Sequence, residues 1–129
     1  MQRDMDLIRE LLLKLEALPL PSGANMYLQP EDEEVAVPEH SADQIAYHLD
    51  LIQNAGFLEQ SRSNPARGIM FCGLSWAGHD FLDSVRNPET WAKTKKGALA
   101  AGGWTADILK DLAKGFIKKQ IEEYTGVKL

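Results

Sequence analysis

The sequence lacks most of the features that mark a specialised chemistry. It has one cysteine, Cys72, which excludes an internal disulfide, and no cysteine cluster of the zinc-binding kind. Cys72 sits in an apolar stretch and reads as a small buried residue. No apolar run approaches the roughly 18 residues of a membrane span. The opening, MQRDMDLIRE, is charged and has no apolar centre of the signal-peptide kind. A cytoplasmic chain with no membrane partner is expected. There is no phosphate-cradling glycine loop, no nucleophile elbow and no HExxH helix, so neither an enzyme nor a cofactor or metal is expected. Gly97, Gly102 and Gly103 fit helix ends instead. Repeats and low-complexity tracts are missing too.

Basic residues are scarce at one end. Residues 1–60 carry Arg3, Arg9 and Lys14 against twelve acids, a net of −9, whereas residues 61–129 carry eleven bases against seven acids, a net of +4. Such asymmetry steers a charged partner to one end, or draws the two ends together within the fold. What is present is otherwise ordinary. The 129 residues are 44% hydrophobic and 26% charged, enough for one globular domain over residues 1–129.

Residues 4–18 read as a helix with Asp4 as N-cap and Ile8, Leu11, Leu12, Leu15 and Leu18 on one face. Pro19 and Pro21 end it. Residues 19–40 form an arm with four prolines and the acidic run Glu31 to Glu34. Met26–Leu28 and Val35–Val37 are its candidate short strands. A second helix over 41–55 is capped by Ser41 and turns Ile45, Leu49 and Ile52 inward, with Ala46 and His48 beside them. Gly56 stops it. The pattern then predicts a hairpin, Phe57–Arg62 against Gly68–Leu74, with Ser63 to Arg67 as its loop. Ser75 caps a helix over 76–86 with Trp76, Phe81, Leu82 and Val85 as its buried set, and Asn87-Pro88 breaks it. A short helix over 89–99 carries Trp91, Lys93, Lys95 and Lys96. The last helix, within 104–125 and capped by Thr105, has an apolar stripe from Ile108 through Leu109, Leu112, Phe116, Ile117 and Ile121 to Tyr124, with Lys110, Lys114 and Lys118 opposite.

The fold class expected is mainly α with a small β-hairpin, an α+β protein. The order of elements resembles the winged helix-turn-helix class with additional C-terminal helices. In that resemblance the segment ending AGFLE is a recognition helix running into the wing, and LSWAGHDFL is the helix after the wing. The helix that normally precedes the recognition helix falls in the proline-rich arm. Four stretches, RDMDLIRELLLKLE, IAYHLDLIQNAGFLE, LSWAGHDFLDSVRNPETWAKTK and DILKDLAKGFIKK, together resemble an uncharacterised bacterial and prophage family known as domain of unknown function 2513. That resemblance implies a winged-helix-like fold, and it brings no established activity and no catalytic residue.

The candidate nucleic-acid contacts are Gln44, Tyr47 and His48 on the second helix and Arg62, Asn64 and Arg67 at the hairpin tip. Gln44 can pair with adenine, His48 can donate to a base edge or phosphate or simply complete the core edge, and the arginines can grip phosphate or line a solvated loop. Against this, the second helix has no Lys or Arg and carries Asp43 and Asp50. His79 next to Asp80 is no acid–base pair, since adjacent helical residues point about 100° apart. His40 with the run Glu31 to Glu34 matches no cation-binding loop. Two functions follow. One is a small regulatory module that binds double-stranded DNA through its wing and basic second half. The other is a protein-interaction module of the same fold, using its acidic half or its last helix, which is also the expected seam of a homodimer.

Overall fold

The computed structural model describes residues 1–63, 65–103 and 105–128, with the backbone alone for Ala106, Leu109, Lys110 and Phe116. The order is α1 (Met5–Glu16), β1 (Met26–Leu28), a 3-10 turn (Glu33–Val35), α2 (Ala42–Asn54), β2 (Ile69–Phe71), α3 (Trp76–Val85), α4 (Pro88–Ala100) and α5 (Ala106–Thr125). The protein is mainly helical with one small antiparallel sheet, the α+β class expected. It divides into two compact units, Met1–His79 and Asp80–Leu129.

Local chemistry sets the helix ends of the first unit. The Asp4 carboxylate accepts the N–H groups of Asp6 and Leu7 and starts α1. Ser41 and Gln44 form a reciprocal capping box at the start of α2. Ser75 Oγ accepts the Gly78 N–H at 3.1 Å, so it caps α3 as the sequence suggests. The core joins Leu7, Leu11, Leu12 and Leu15 of α1 to Ile45, Leu49 and Ile52 of α2, all under 4% exposed. The 3-10 turn packs on α1 and contributes Val35, which is fully buried. Val35–Val37 is thus no strand. Val35 closes the 3-10 turn, and Pro38 follows Val37.

The sheet differs from the expected hairpin in its partner. β2 pairs with β1 of the arm, in the register Met26–Phe71, Tyr27–Met70 and Leu28–Ile69. Residues 57–62 meet residues 68–74 at the base, through a Leu58–Leu74 bridge and the Glu59 N–H to Gly73 carbonyl bond. The reason is burial. Phe57 and Leu58 are consecutive and both buried, so the segment does not keep a strand's two-residue alternation. The arm supplies Leu28 to cover the inner face of β2 instead, and the chain enters β2 at Gly68, whose φ of +83° suits glycine alone.

Trp76 also departs from expectation. It is 89% exposed, not buried. The face of α3 held against the chain is that of Gly78, where a Cβ would lie 2.1 Å from the Phe57 carbonyl oxygen. Trp76, two positions earlier, lies about 200° around the helix from it.

In the second unit Asn87 caps α4, with Pro88 in its first turn. α4 and α5 pack antiparallel as a helical hairpin, Gly97 meeting Leu112 and Gly103 meeting Ile108. Trp91, Ala98 and Ala113 are buried, as are Phe81, Leu82 and Val85 of α3. Lys114 Nζ donates to Asp80 Oδ2 at 3.1 Å.

Candidate functional site

The three candidate groove readers on α2 meet different fates. Gln44 Oε1 accepts the Ser41 N–H at 2.8 Å, so its side chain serves the helix cap. His48 is 2% exposed. Its Nε2 accepts the Asp4 N–H at 2.8 Å and its Nδ1 faces the Gln44 carbonyl at 2.7 Å. A backbone N–H only donates and a carbonyl only accepts, so the hydrogen sits on Nδ1. His48 therefore bolts the start of α1 to α2, and neither ring nitrogen is offered to a base edge. Tyr47 is 36% exposed and meets the His48 ring edge to face at 5.5 Å. Of the three, Tyr47 alone presents itself outward.

The loop arginines separate as well. Arg67 donates to Glu31 Oε1 and lies 3.6 Å from Asp43 Oδ1. The Tyr27 hydroxyl donates to the Arg67 carbonyl at 2.8 Å. Arg67 is thus a clasp joining the acidic arm, the first turn of α2 and the outer side of β1. A phosphate would have to compete with two carboxylates for it. Arg62 is exposed and lines an open groove of about 340 Å³ with Asn25, Glu59, Met70 and Cys72. Asn64 lies outside the described residues.

The remaining candidates are dispersed. Lys93, Lys95 and Lys96 belong to the second unit, with Lys95 Nζ 5.6 Å from the Trp91 ring centre. His79 is exposed, and the Asp80 carboxylate is engaged by Lys114. His40 bonds the Pro38 carbonyl and lies 3.4 Å from Asp4 Oδ2, away from the acidic run. Among the described residues no group of three or more His, Cys, Asp or Glu side chains could hold a metal ion. The sequence reading missed Glu31 and Asp43 as partners of Arg67. Opposite charge was the available signal, but 36 positions separate Arg67 from Glu31 in the chain.

What the arrangement offers is an amphipathic acidic surface. Tyr27 and Tyr47 are part-exposed, Glu31 and Asp43 are exposed at the Arg67 clasp, and Glu33, Glu34 and Glu39 are exposed farther along the arm. The model of the family described as "Hypothetical protein (DUF2513)" matches residues 2–104. The chain belongs to the DUF2513 family. A Haemophilus influenzae relative, described as an uncharacterized protein, is 29% identical over 124 residues, 94% of this chain and 99% of its own length. That alignment therefore takes in most of α5, which the family model does not reach. No solved structure matches the chain. Among the described residues no helix is long and apolar enough to cross a membrane.

Proposed function

We propose that this DUF2513 chain is a non-enzymatic protein-interaction module whose acidic first unit receives a basic protein surface. The observation that carries this is the Arg67 clasp. The cation best placed for phosphate is already held by Glu31 and Asp43. Glu33, Glu34 and Glu39 stay exposed with no ion partner among the described residues. They stand on a fixed support, because Val35 is buried and the Asp32 carboxylate ties back to the Gln29 N–H at 2.8 Å. Residues 1–79 hold five bases against twelve acids, a net of −7, and a field of that sign repels a polyanion.

Nucleic-acid binding is the second reading. It keeps the exposed Arg62 and the exposed Lys93 and Lys96 of α4 in its favour. The finer reading of the fold goes with it: α2, the turn-back over 58–74 and α3 would be a recognition helix, a shortened wing and the helix after it. Against it, the chain before α2 offers a 3-10 turn where a helix-turn-helix pair needs an α-helix.

One experiment separates the two. Fluorescence anisotropy is measured with a labelled oligolysine peptide and with random-sequence duplex DNA, at low salt and at about 0.15 M salt. The interaction reading expects saturable peptide binding that drops about tenfold or more in E33K/E34K, and no DNA binding. DNA binding that survives at the higher salt and is lost in Arg62→Ala would reverse the choice.

A further inference from the structure

Asp4 is held by two histidines that need opposite states of charge. From α2, the buried His48 ring accepts the Asp4 N–H on Nε2 at 2.8 Å, and its Nδ1 donates to the Gln44 carbonyl at 2.7 Å. Only the neutral ring can make both bonds. A proton added at Nε2 takes the lone pair that the Asp4 N–H uses and sets two N–H groups against each other. It also leaves a charge on a residue that is 2% exposed. From the arm, His40 Nδ1 lies 2.9 Å from the Pro38 carbonyl, which only accepts, so that nitrogen carries the hydrogen. The neutral His40 ring then turns the lone pair of Nε2 toward Asp4 Oδ2 at 3.4 Å, acceptor against acceptor. A proton there converts the contact into a charge-assisted hydrogen bond. Each histidine therefore holds Asp4 in the state in which the other does not.

We infer that Asp4 is an acid-sensitive joint: as the pH falls through the range in which histidine takes up a proton, the start of α1 is released from α2 and tied to the arm. The sign follows from the bonds. The unfolded chain takes up the His48 proton freely, and the folded chain takes it up only by breaking the bond to Asp4, so stability falls as the pH falls. His40 acts in the opposite direction and more weakly. Its side chain and that of Asp4 are 23% and 46% exposed, and an ion pair open to water contributes little. Tyr47, with its ring 5.5 Å from that of His48, is the titratable neighbour on α2, and Arg3, Asp6 and Glu39 flank Asp4 and His40 in the chain. Asp4 Oδ1 keeps its cap bonds to the Asp6 and Leu7 N–H groups throughout. Acid therefore loosens one end of the α1–α2 seam and leaves α1 itself capped. This device is independent of the interaction reading above.

The test is urea denaturation of the full chain at about pH 7.5 and about pH 5, beside His48→Gln, His40→Gln and the double variant. A glutamine amide offers both an acceptor and a donor and does not titrate. Between the two pH values the folding constant of the unsubstituted chain is expected to fall about tenfold relative to that of His48→Gln. His40→Gln is expected to fall more steeply than the unsubstituted chain, by a further factor of about two to five. The double variant is expected to match His48→Gln to within that smaller factor. Groups common to all four chains cancel in these ratios. A second measurement needs no variant to fold: nitrogen NMR of the His48 ring and the Asp4 amide in the unsubstituted chain. It is expected to place the hydrogen on Nδ1 at the higher pH. On acidification, Nε2 is expected to gain a proton and the Asp4 amide signal to move with the same midpoint. A His48→Gln chain with the pH dependence of the unsubstituted chain overturns the inference. So does a His48 ring that stays neutral down to about pH 5, and so does one that takes its proton without moving the Asp4 amide.

Discussion

His48 and Asp4 are 44 positions apart, yet the ring Nε2 of the first accepts the backbone N–H of the second at 2.8 Å. Asp4 is also the residue whose carboxylate caps α1. One buried side chain on α2 thus fixes the residue that starts α1, where helix pairs often rely on apolar contacts alone.

Replacing His48 should therefore cost more than its neighbours suggest. His48→Leu keeps the apolar volume but strands the Asp4 N–H. A loss of about 1–3 kcal/mol is expected. In urea denaturation the midpoint should fall at unchanged slope. A loss below about 0.5 kcal/mol would show that water replaces the bond at no net cost.

The Arg67 clasp should contribute far less to stability. Its guanidinium side chain is 46% exposed, and Glu31 and Asp43 are more exposed still. A double-mutant cycle on R67A and E31A should give a coupling below about 1 kcal/mol that shrinks further at high salt. A coupling above about 2 kcal/mol would mean that the arm depends on this pair and not on Val35 and Leu28.

Gly78 lies in a helix, where alanine normally stabilises by about 1 kcal/mol. Here the sign should reverse. A Cβ would sit 2.1 Å from the Phe57 carbonyl oxygen and 2.9 Å from its carbon, both backbone atoms. Gly78→Ala should lower stability by about 2–3 kcal/mol, read from the thermal midpoint. A neutral result would show that the chain before α3 can retreat freely.

Glu39 is the non-glycine residue with positive φ, at +68°, among the described residues. It follows Pro38 in a turn closed by the His40 N–H to the Val37 carbonyl at 3.2 Å. Glu39→Gly should relieve that strain and raise stability by about 0.5–1 kcal/mol, after the entropy cost of glycine is set against it. Glu39→Val should lower it. Equal denaturation midpoints for the two variants would rule out strain at this position.

The outcomes for particular residues show where sequence reasoning held. Asp4, Ser41, Ser75 and Thr105 cap the helices they were expected to cap. A cap is a bond between residues two or three apart, so it can be read from a few letters. Ile45, Leu49 and Ile52 face inward because helical spacing alone gathers them. Trp76 failed the same logic, because a helix's first turn is positioned by what precedes it, here the close approach of Gly78 to Phe57. The candidate site was legible as a set of residues and not as an arrangement. Gln44 was claimed by a cap, His48 by the core and Arg67 by the acidic arm.

By itself, then, the sequence determined five helices near their observed limits, the mainly helical α+β class, the family and the separation of charge along the chain. Periodicity, capping and composition act over one to four residues or over bulk averages, and they need no knowledge of distant contacts. Only the tertiary structure decided which strand β2 pairs with, which histidine is buried and which arginine is neutralised. Each of those choices joins residues 24 to 45 positions apart. At that distance many partners are chemically acceptable, and the packing of the whole core selects among them.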